Sequence, residues 1–337
     1  MKTNHVTEDT SYRALVVYEE DGGYDCRVAE KRIGDLPEGE VLIRVHYSSL
    51  NYKDALSAAG NKGVTKSYPH TPGVDAAGIV VRSDDPAFQE GDAVVVTGSV
   101  FGMSLSGGLQ EYIRVPAGLP IVLPKGLDMR RSMEYGTAGI TAAMCVQRLV
   151  ERHGIRPEDG DVAVSGATGG VGCYAVQLLA RLGYRVIAAT SKADAASLME
   201  GIGAAQVIDR SEIDDTSGRP LMRPRWKAAI DTTGGNILAT LIKTTAYDGA
   251  IACCGNAAGG DLHTTVFPFI LNGVTLYGVD SVSCTTEYRR SIWELLAGPW
   301  SLPSRPEMLR TIPLEAVPDA LAALRAGTNT GRVVVEL

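Results

Sequence analysis

Hydrophobic and polar positions alternate through the first third of the chain and run in short apolar blocks through its middle. Residues 40–48 alternate in the pattern of a half-buried strand. Residues 12–17 read as an earlier strand, and the polar residues before them, from Met1 to about Ser11, as a disordered or tag-like extension. Residues 49–56 start a helix, with Asn51 or Ser49 as its cap. A turn over 69–78 feeds a strand at 77–81, residues 91–97 are a turn and a buried strand, and 107–115 lead into another. Short strands with glycine and proline turns at this density predict a small all-β barrel.

Helical periodicity takes over at residues 128–133 and continues through 137–146. Strands and helices then alternate, with a short strand opening the stretch 162–172 and others at 184–190, 206–209, 227–231, 249–255 and 274–279. That rhythm predicts a doubly wound parallel sheet. Residues 331–337 read as a strand that returns to the barrel, so the sheet domain is inserted in a discontinuous first domain.

The stretch 162–190 carries the clearest chemistry. It is a strand, a turn of the form A-x-G-x-x-G (Ala167, Gly169, Gly172), a helix and a second strand. Its span of about 30 residues is that of a dinucleotide-binding βαβ unit. Small residues let the backbone approach a pyrophosphate, which then sits on unpaired N–H groups at a helix N-terminus. Thr168, Gly169, Gly170 and Val171 are the candidate contacts.

Composition narrows the class. The 337 residues suffice for two domains, and a net charge of −7 with no basic, aromatic-rich cluster argues against nucleic acid. The N-terminus has no signal-peptide core, and no apolar run approaches a membrane span. Six cysteines without a paired or C-x-x-C spacing fit a reducing cytoplasm. The five histidines have no ligand spacing. No tyrosine is followed four places on by lysine, so the Tyr-x-x-x-Lys chemistry of short-chain dehydrogenases is absent.

The motifs N-Y-x-D (from Asn51), P-G-x-D-x-x-G (from Pro72) and G-G-x-x-E-Y (from Gly107), followed by the A-x-G-x-x-G turn, resemble the medium-chain dehydrogenase/reductase superfamily. The stretches S-S-L-N-Y-K-D-A-L, T-A-G-I-T-A, P-F-I-L and G-V-D-S, beginning at Ser48, Thr137, Pro268 and Gly278, resemble its zinc-independent acryloyl-CoA reductases of the YhdH/YhfP type, also called quinone oxidoreductases. The resemblance implies an α/β fold: a GroES-like β-barrel domain over 1–131 and 282–337, and a Rossmann domain over 132–281 that binds NADPH. It also implies a site between the two domains and a homodimer paired through the edge strand at 274–279.

The positions that match the zinc ligands of the superfamily are Asn51, Val74 and Thr137, and an apolar side chain with an amide cannot hold zinc. Without that Lewis acid the expected reaction is hydride addition to an already activated C=C bond. An acidic residue ending the second Rossmann strand would repel a 2′-phosphate. Here Thr190, Ser191 and Lys192 stand instead, and Arg210 matches a family arginine of the same region. By resemblance Tyr52 contacts the cofactor and, with Asn51 and Asp75, forms the candidate catalytic set, Asp54 and Asp75 serving either chemistry or structure. Ile270 and Ser281 match family positions near the nicotinamide ribose and amide, Asn256 follows a strand end at the expected cleft edge, and Asn329 and Arg332 are candidates to close the site. Asn256, Ile270, Ser281 and Asn329 are counted as candidate cofactor contacts, with loop capping as the alternative for each. Residues 287–290 and Arg305 either attract CoA phosphates or are a solvated face, and Cys253-Cys254 reads as buried packing. The implied reaction reduces acryloyl-CoA to propanoyl-CoA. The alternatives are an NADPH:quinone or enone reductase and a non-catalytic, crystallin-like NADPH-binding protein.

Overall fold

The alternating N-terminal pattern folds as antiparallel sheet. In the computed structural model, which describes residues 6–337, the chain opens with a hairpin of β1 (Ser11–Glu20) and β2 (Gly23–Arg32), paired from Ser11↔Arg32 to Glu20↔Gly23. Asp21-Gly22 forms its two-residue turn, with Gly22 in the left-handed region. β2 is not foreseen from hydrophobicity because its positions are mostly polar and half exposed; its pairing with β1 holds it. The expected N-terminal extension lies partly outside the described residues, at 1–5. Within the described part the chain is tied down: Thr7 and Thr10 form a turn, and Glu8 bridges Arg82 and Arg114.

β3 (Val41–Ser49), α1 (Tyr52–Ala58), β4 (Asp75–Ser83), β5 (Ala93–Thr97), β6 (Tyr112–Val115) and β7 (Ile121–Val122) follow. β3 is the hub, pairing antiparallel with both β4 and β6. Its odd positions Val41, Ile43 and Val45 pack with Val80, Val94, Val96 and Ile113, while Leu42 points to the opposite cluster with Tyr12, Val16 and Ile33. A strand buried on both faces at its start explains why its early positions are continuously apolar. α2 (Met129–Gln147) is interrupted at Gly136, where φ is 52° and ψ −159°, and continues into a π-type turn over Arg148–His153. Sequence periodicity marks both halves of α2 but not the break.

The parallel sheet consists of β8 (Val162–Val164), β9 (Val186–Thr190), β10 (Gln206–Asp209), β11 (Trp226–Asp231), β12 (Thr245–Cys253) and β13 (Thr275–Gly278). Its order is β10-β9-β8-β11-β12-β13, every pairing parallel. The order reverses between β8 and β11, the switch point at which ligands bind in such sheets. α3 (Gly170–Arg181), α4 (Ala196–Gly201), α5 (Gly235–Lys243) and α6 (Phe267–Asn272) connect the strands. Ile237, Leu238, Leu241 and Ile242, at helical spacing, seat α5 against Ala163, Ala229 and Ile251.

The chain then returns through α7 (Thr286–Ala297), β14 (Leu309–Pro313), α8 (Val317–Arg325) and β15 (Arg332–Glu336). β15 pairs with β3 and with β14, so the C-terminal strand does return to the sheet built around β3. Two compact units result. One takes residues up to Thr137, Val282–Gly298 and Ser304–Leu337; the other takes Ala138–Ser281 and Pro299–Pro303. Among the described residues no helix is long and apolar enough to cross a membrane.

Candidate functional site

In the parallel-sheet unit, small residues at the turn after β8 are a packing requirement. Gly166 has φ 57°, and a side chain there would collide with Thr232 Oγ1. A Cβ on Gly172 would strike the Gly166 carbonyl and Ala167, so only glycine lets the first turn of α3 close onto the strand end. Gly169 is the N-cap of α3, with its N–H given to Gly166 O. The N–H groups of Gly170, Val171 and Gly172 open the helix and have no intrahelical partner. Such a helix end can receive an anion, and beside it the Thr168 hydroxyl lies 3.1 Å from that of Thr190.

Thr190 ends β9 and accepts the backbone N–H of Lys192 at 3.1 Å. Thr168, Thr190 and Lys192 are thus brought together, with Ser191 exposed between the last two. Burial lowers the Lys192 pKa from its ordinary value. Arg210, exposed after β10, lies 3.9 Å from Asp214. The two cations and two hydroxyls suit a 2′-phosphate and include no carboxylate at the end of β9.

Sequence reasoning missed the group that locks the switch point. Asp231, fully buried at the end of β11, accepts from Ser165 Oγ at 2.6 Å, Thr233 Oγ1 at 2.8 Å and Gly234 N–H at 2.8 Å. It links the ends of the two central strands, and Cys253 Sγ of β12 lies 3.7 Å away. The signal was an aspartate directly after the apolar run Ala228-Ala229-Ile230, followed by two threonines and two glycines. Burial and the Asp231 charge push the Cys253 thiol up to about 12. A hydrogen bond with Cys254 and burial raise Cys145. These thiols are not nucleophiles near neutral pH.

Asn256 lines an open depression of about 640 Å³ with Cys253, Cys254, Gly255, Gly278, Val279 and Asp280, at the C-terminal ends of β12 and β13. Ser281, buried, shares a hydrogen bond of 2.7 Å with Thr141. Ile270 does not line this depression; it is 67 % exposed in a strip of α6 and its N-cap with Val266, Phe267 and Leu271.

In the barrel unit the candidates form one buried network. Asn51 occupies the N-cap position of α1, and the Asp54 carboxylate accepts its N–H at 2.7 Å. The Asn51 amide turns to Asp75 Oδ2 (2.6 Å) and Ser49 O (3.2 Å), and its oxygen accepts from Arg332 at 3.2 Å. Asp75, fully buried at the start of β4, also accepts from Ser49 Oγ (2.7 Å), Thr137 Oγ1 (2.6 Å) and Thr137 N–H (3.0 Å). Burial first, then the charge of Asp75, raise Asp54 to about 7, opposed by N–H donors from Asn51, Val74 and Gly73. Tyr52, beside them, is 43 % exposed. Asn329 donates to Gly331 O, the ordinary work of a loop amide.

The positions that match zinc ligands do not fit a metal. Asn51 and Thr137 have committed their polar atoms to Asp75, Val74 is apolar and buried, and the Arg332 guanidinium stands 3.6 Å from Asp75. Among the described residues no group of three His, Cys, Asp or Glu side chains could hold a metal ion. Arg289, one of the cations with a possible CoA role, is buried and donates to Val282 O and Cys284 O, so it is removed from that role; Arg290 is exposed.

Comparison with known proteins gives a consistent relationship. The family models of the alcohol dehydrogenase GroES-like domain and of zinc-binding dehydrogenase match residues 37–125 and 170–298. The chain is 40% identical over 328 residues to acrylyl-CoA reductase AcuI of Ruegeria pomeroyi, covering 97% of this chain and 99% of that one. The yhdH oxidoreductase from Salmonella enterica, solved in complex with NADP, superposes with a TM-score of 0.93 at 40% identity over 96% of this chain and 99% of its own. The Bacillus subtilis protein yhfP, solved with NAD bound, gives 0.94 at 41% over 98% and 100%.

Proposed function

Because the chain belongs to the medium-chain dehydrogenase/reductase family, we propose that it reduces the activated C=C bond of a small α,β-unsaturated acyl-CoA, acryloyl-CoA foremost, with NADPH. The observation that carries the reading is the donor set at Asn51, Val74 and Thr137. It has no means of holding a Lewis acid, so the acceptor must arrive already polarised, as a thioester-conjugated alkene does. NADPH supplies the hydride for the β-carbon.

The chain's residues do the rest. The N–H groups at the start of α3 and the Thr168 hydroxyl bind the pyrophosphate. Thr190, Ser191, Lys192 and Arg210 take the 2′-phosphate. Ile270 and Ser281 belong to the nicotinamide end by family correspondence, and Asn256 and Asn329 are further cofactor contacts. Tyr52, the exposed residue of the α1 N-terminus, orients the acceptor and gives the proton to Cα, its phenol being a competent acid when held against a developing enolate. Two copies pair through β13, and six cysteines with no C-x-x-C spacing suit a reducing cytoplasm.

The test is the loss of NADPH absorbance with acryloyl-CoA, with benzoquinone and with neither. Turnover with acryloyl-CoA is expected. Turnover with quinone alone would replace the acyl-CoA assignment. Tight NADPH binding without oxidation by either acceptor would mark a non-catalytic NADPH-binding protein.

A further inference from the structure

We infer that Arg332 does the cross-linking that a metal does in zinc-dependent members, and that through this cross-link it positions Tyr52 for the reaction proposed above, on which the inference rests. The three positions that match zinc ligands lie on three segments: the entry to α1, the approach to β4 and the interrupted helix α2. In this chain a guanidinium and one carboxylate tie those segments together.

All five N–H groups of Arg332 are directed. Nε donates to Glu134 O (3.2 Å), one terminal nitrogen to Leu50 O (2.8 Å) and Asn51 Oδ1 (3.2 Å), the other to Ser49 Oγ (2.7 Å) while facing Asp75 Oδ2 at 3.6 Å. Arg332 is 3 % exposed. A rigid five-donor fork is what such a junction requires; a lysine offers three donors from a single point.

The break in α2 is part of the same device. At Gly136 the helix opens, Thr137 turns its N–H onto Asp75 and Glu134 turns its carbonyl onto Arg332. A Cβ on Gly136 would fall well inside contact distance of Asp75 Oδ2, Ser49 Oγ and the Arg332 terminal nitrogen together. The glycine therefore leaves room for the ion pair as well as permitting the turn.

Saturation decides the division of labour. Both hydrogens of the Asn51 amide go to Ser49 O and Asp75, and its oxygen accepts from Arg332. Asn51 has no donor left for a substrate, so it and Asp75 act on Tyr52 through the chain. Arg332 holds the Leu50 carbonyl and the Asn51 side chain, Asp54 holds the Asn51 N–H, and Tyr52 is the next residue. Arg332, Asn51 and Asp75 are positioning residues in this assignment.

Arg332→Lys keeps the charge and loses the fork. Its kcat is expected to fall about 100-fold, the cost of a misplaced reacting group, while the Kd for NADPH measured by fluorescence stays within about twofold. Gly136→Ala should give the same split, and the double variant should be no worse than the poorer single one, as for groups acting as a unit. In Arg332→Ala, millimolar guanidinium should restore turnover and melting temperature where equal urea does not. The melting readout stands even if the parent protein reduces neither acceptor, an outcome that would overturn the proposed function alone. A kcat for Arg332→Lys within about twofold of an active parent, or an equal loss of NADPH binding and turnover, would overturn the cross-link. Should the lysine variant fail to fold, a fully active Gly136→Ala or the absence of guanidinium rescue would do so.

Discussion

At the scale of single residues, cofactor choice is the sharpest consequence. Related structures at similar identity carry NADP in one case and NAD in another, so the fold does not decide the matter. In this chain β9 ends in hydroxyls and a lysine, and a 2′-phosphate would give Lys192 and Arg210 a charge-assisted partner each. Such bonds are worth about 1.5–3 kcal/mol, about 10- to 100-fold in affinity. Lys192→Ala and Arg210→Ala should each raise the KM for NADPH by that order and leave the KM for NADH nearly unchanged, read from initial rates with either cofactor. Equal rises for both cofactors would misplace the 2′-phosphate site. The placement of the hydroxyls and the lysine at the end of β9 was legible because the strand and the residues that end it are adjacent in sequence. Asp231 was not, since a buried carboxylate is revealed only by the strand ends it joins: Ser165 lies 66 positions away in sequence.

At the scale of elements, the βαβ unit of β8, α3 and β9 was readable because its apolar runs and glycines are local. The strand, turn and helix all appear within the expected stretch, and Asn51 does stand at the cap of α1. Two features escaped for different reasons: β2 because its mostly polar positions carry no hydrophobic pattern and only its pairing with the neighbouring β1 holds it, and the break in α2 because it is held by Arg332 from the far end of the chain. The glycine turn gives the element-scale prediction. A Cβ at position 172 meets the Gly166 carbonyl, and overpacking of this kind costs about 1–3 kcal/mol. Gly172→Ala should lose that much stability in urea unfolding and weaken NADPH and NADH alike, because the shared pyrophosphate seat shifts. Gly201→Ala, which meets no atom within 4 Å, is the control and should be neutral or slightly stabilising. Unchanged cofactor affinity in Gly172→Ala would separate the turn from the binding site.

At the scale of the whole molecule, the two edges of the parallel sheet differ in a way that argues for pairing. An exposed edge invites other strands, and proteins blunt it with charge, proline or cover. β10, at one edge, ends in Asp209 and runs into Arg210. β13, at the other, reads Thr275-Leu276-Tyr277-Gly278, with no charge and no proline, and its first three residues are only half buried. The α6 segment just before it adds Val266, Phe267, Ile270 and Leu271, all exposed and spaced to form one stripe. A bare edge beside an apolar stripe is unfavourable in water, and a second copy applied edge to edge would satisfy both at once, since a two-fold axis brings the same surface to itself. Light scattering at micromolar concentration should therefore give a particle of two chains. Leu271→Glu, which places a charge in the stripe, should shift it toward one chain. A monomeric parent protein under those conditions would mean that the edge is covered by something other than a second copy.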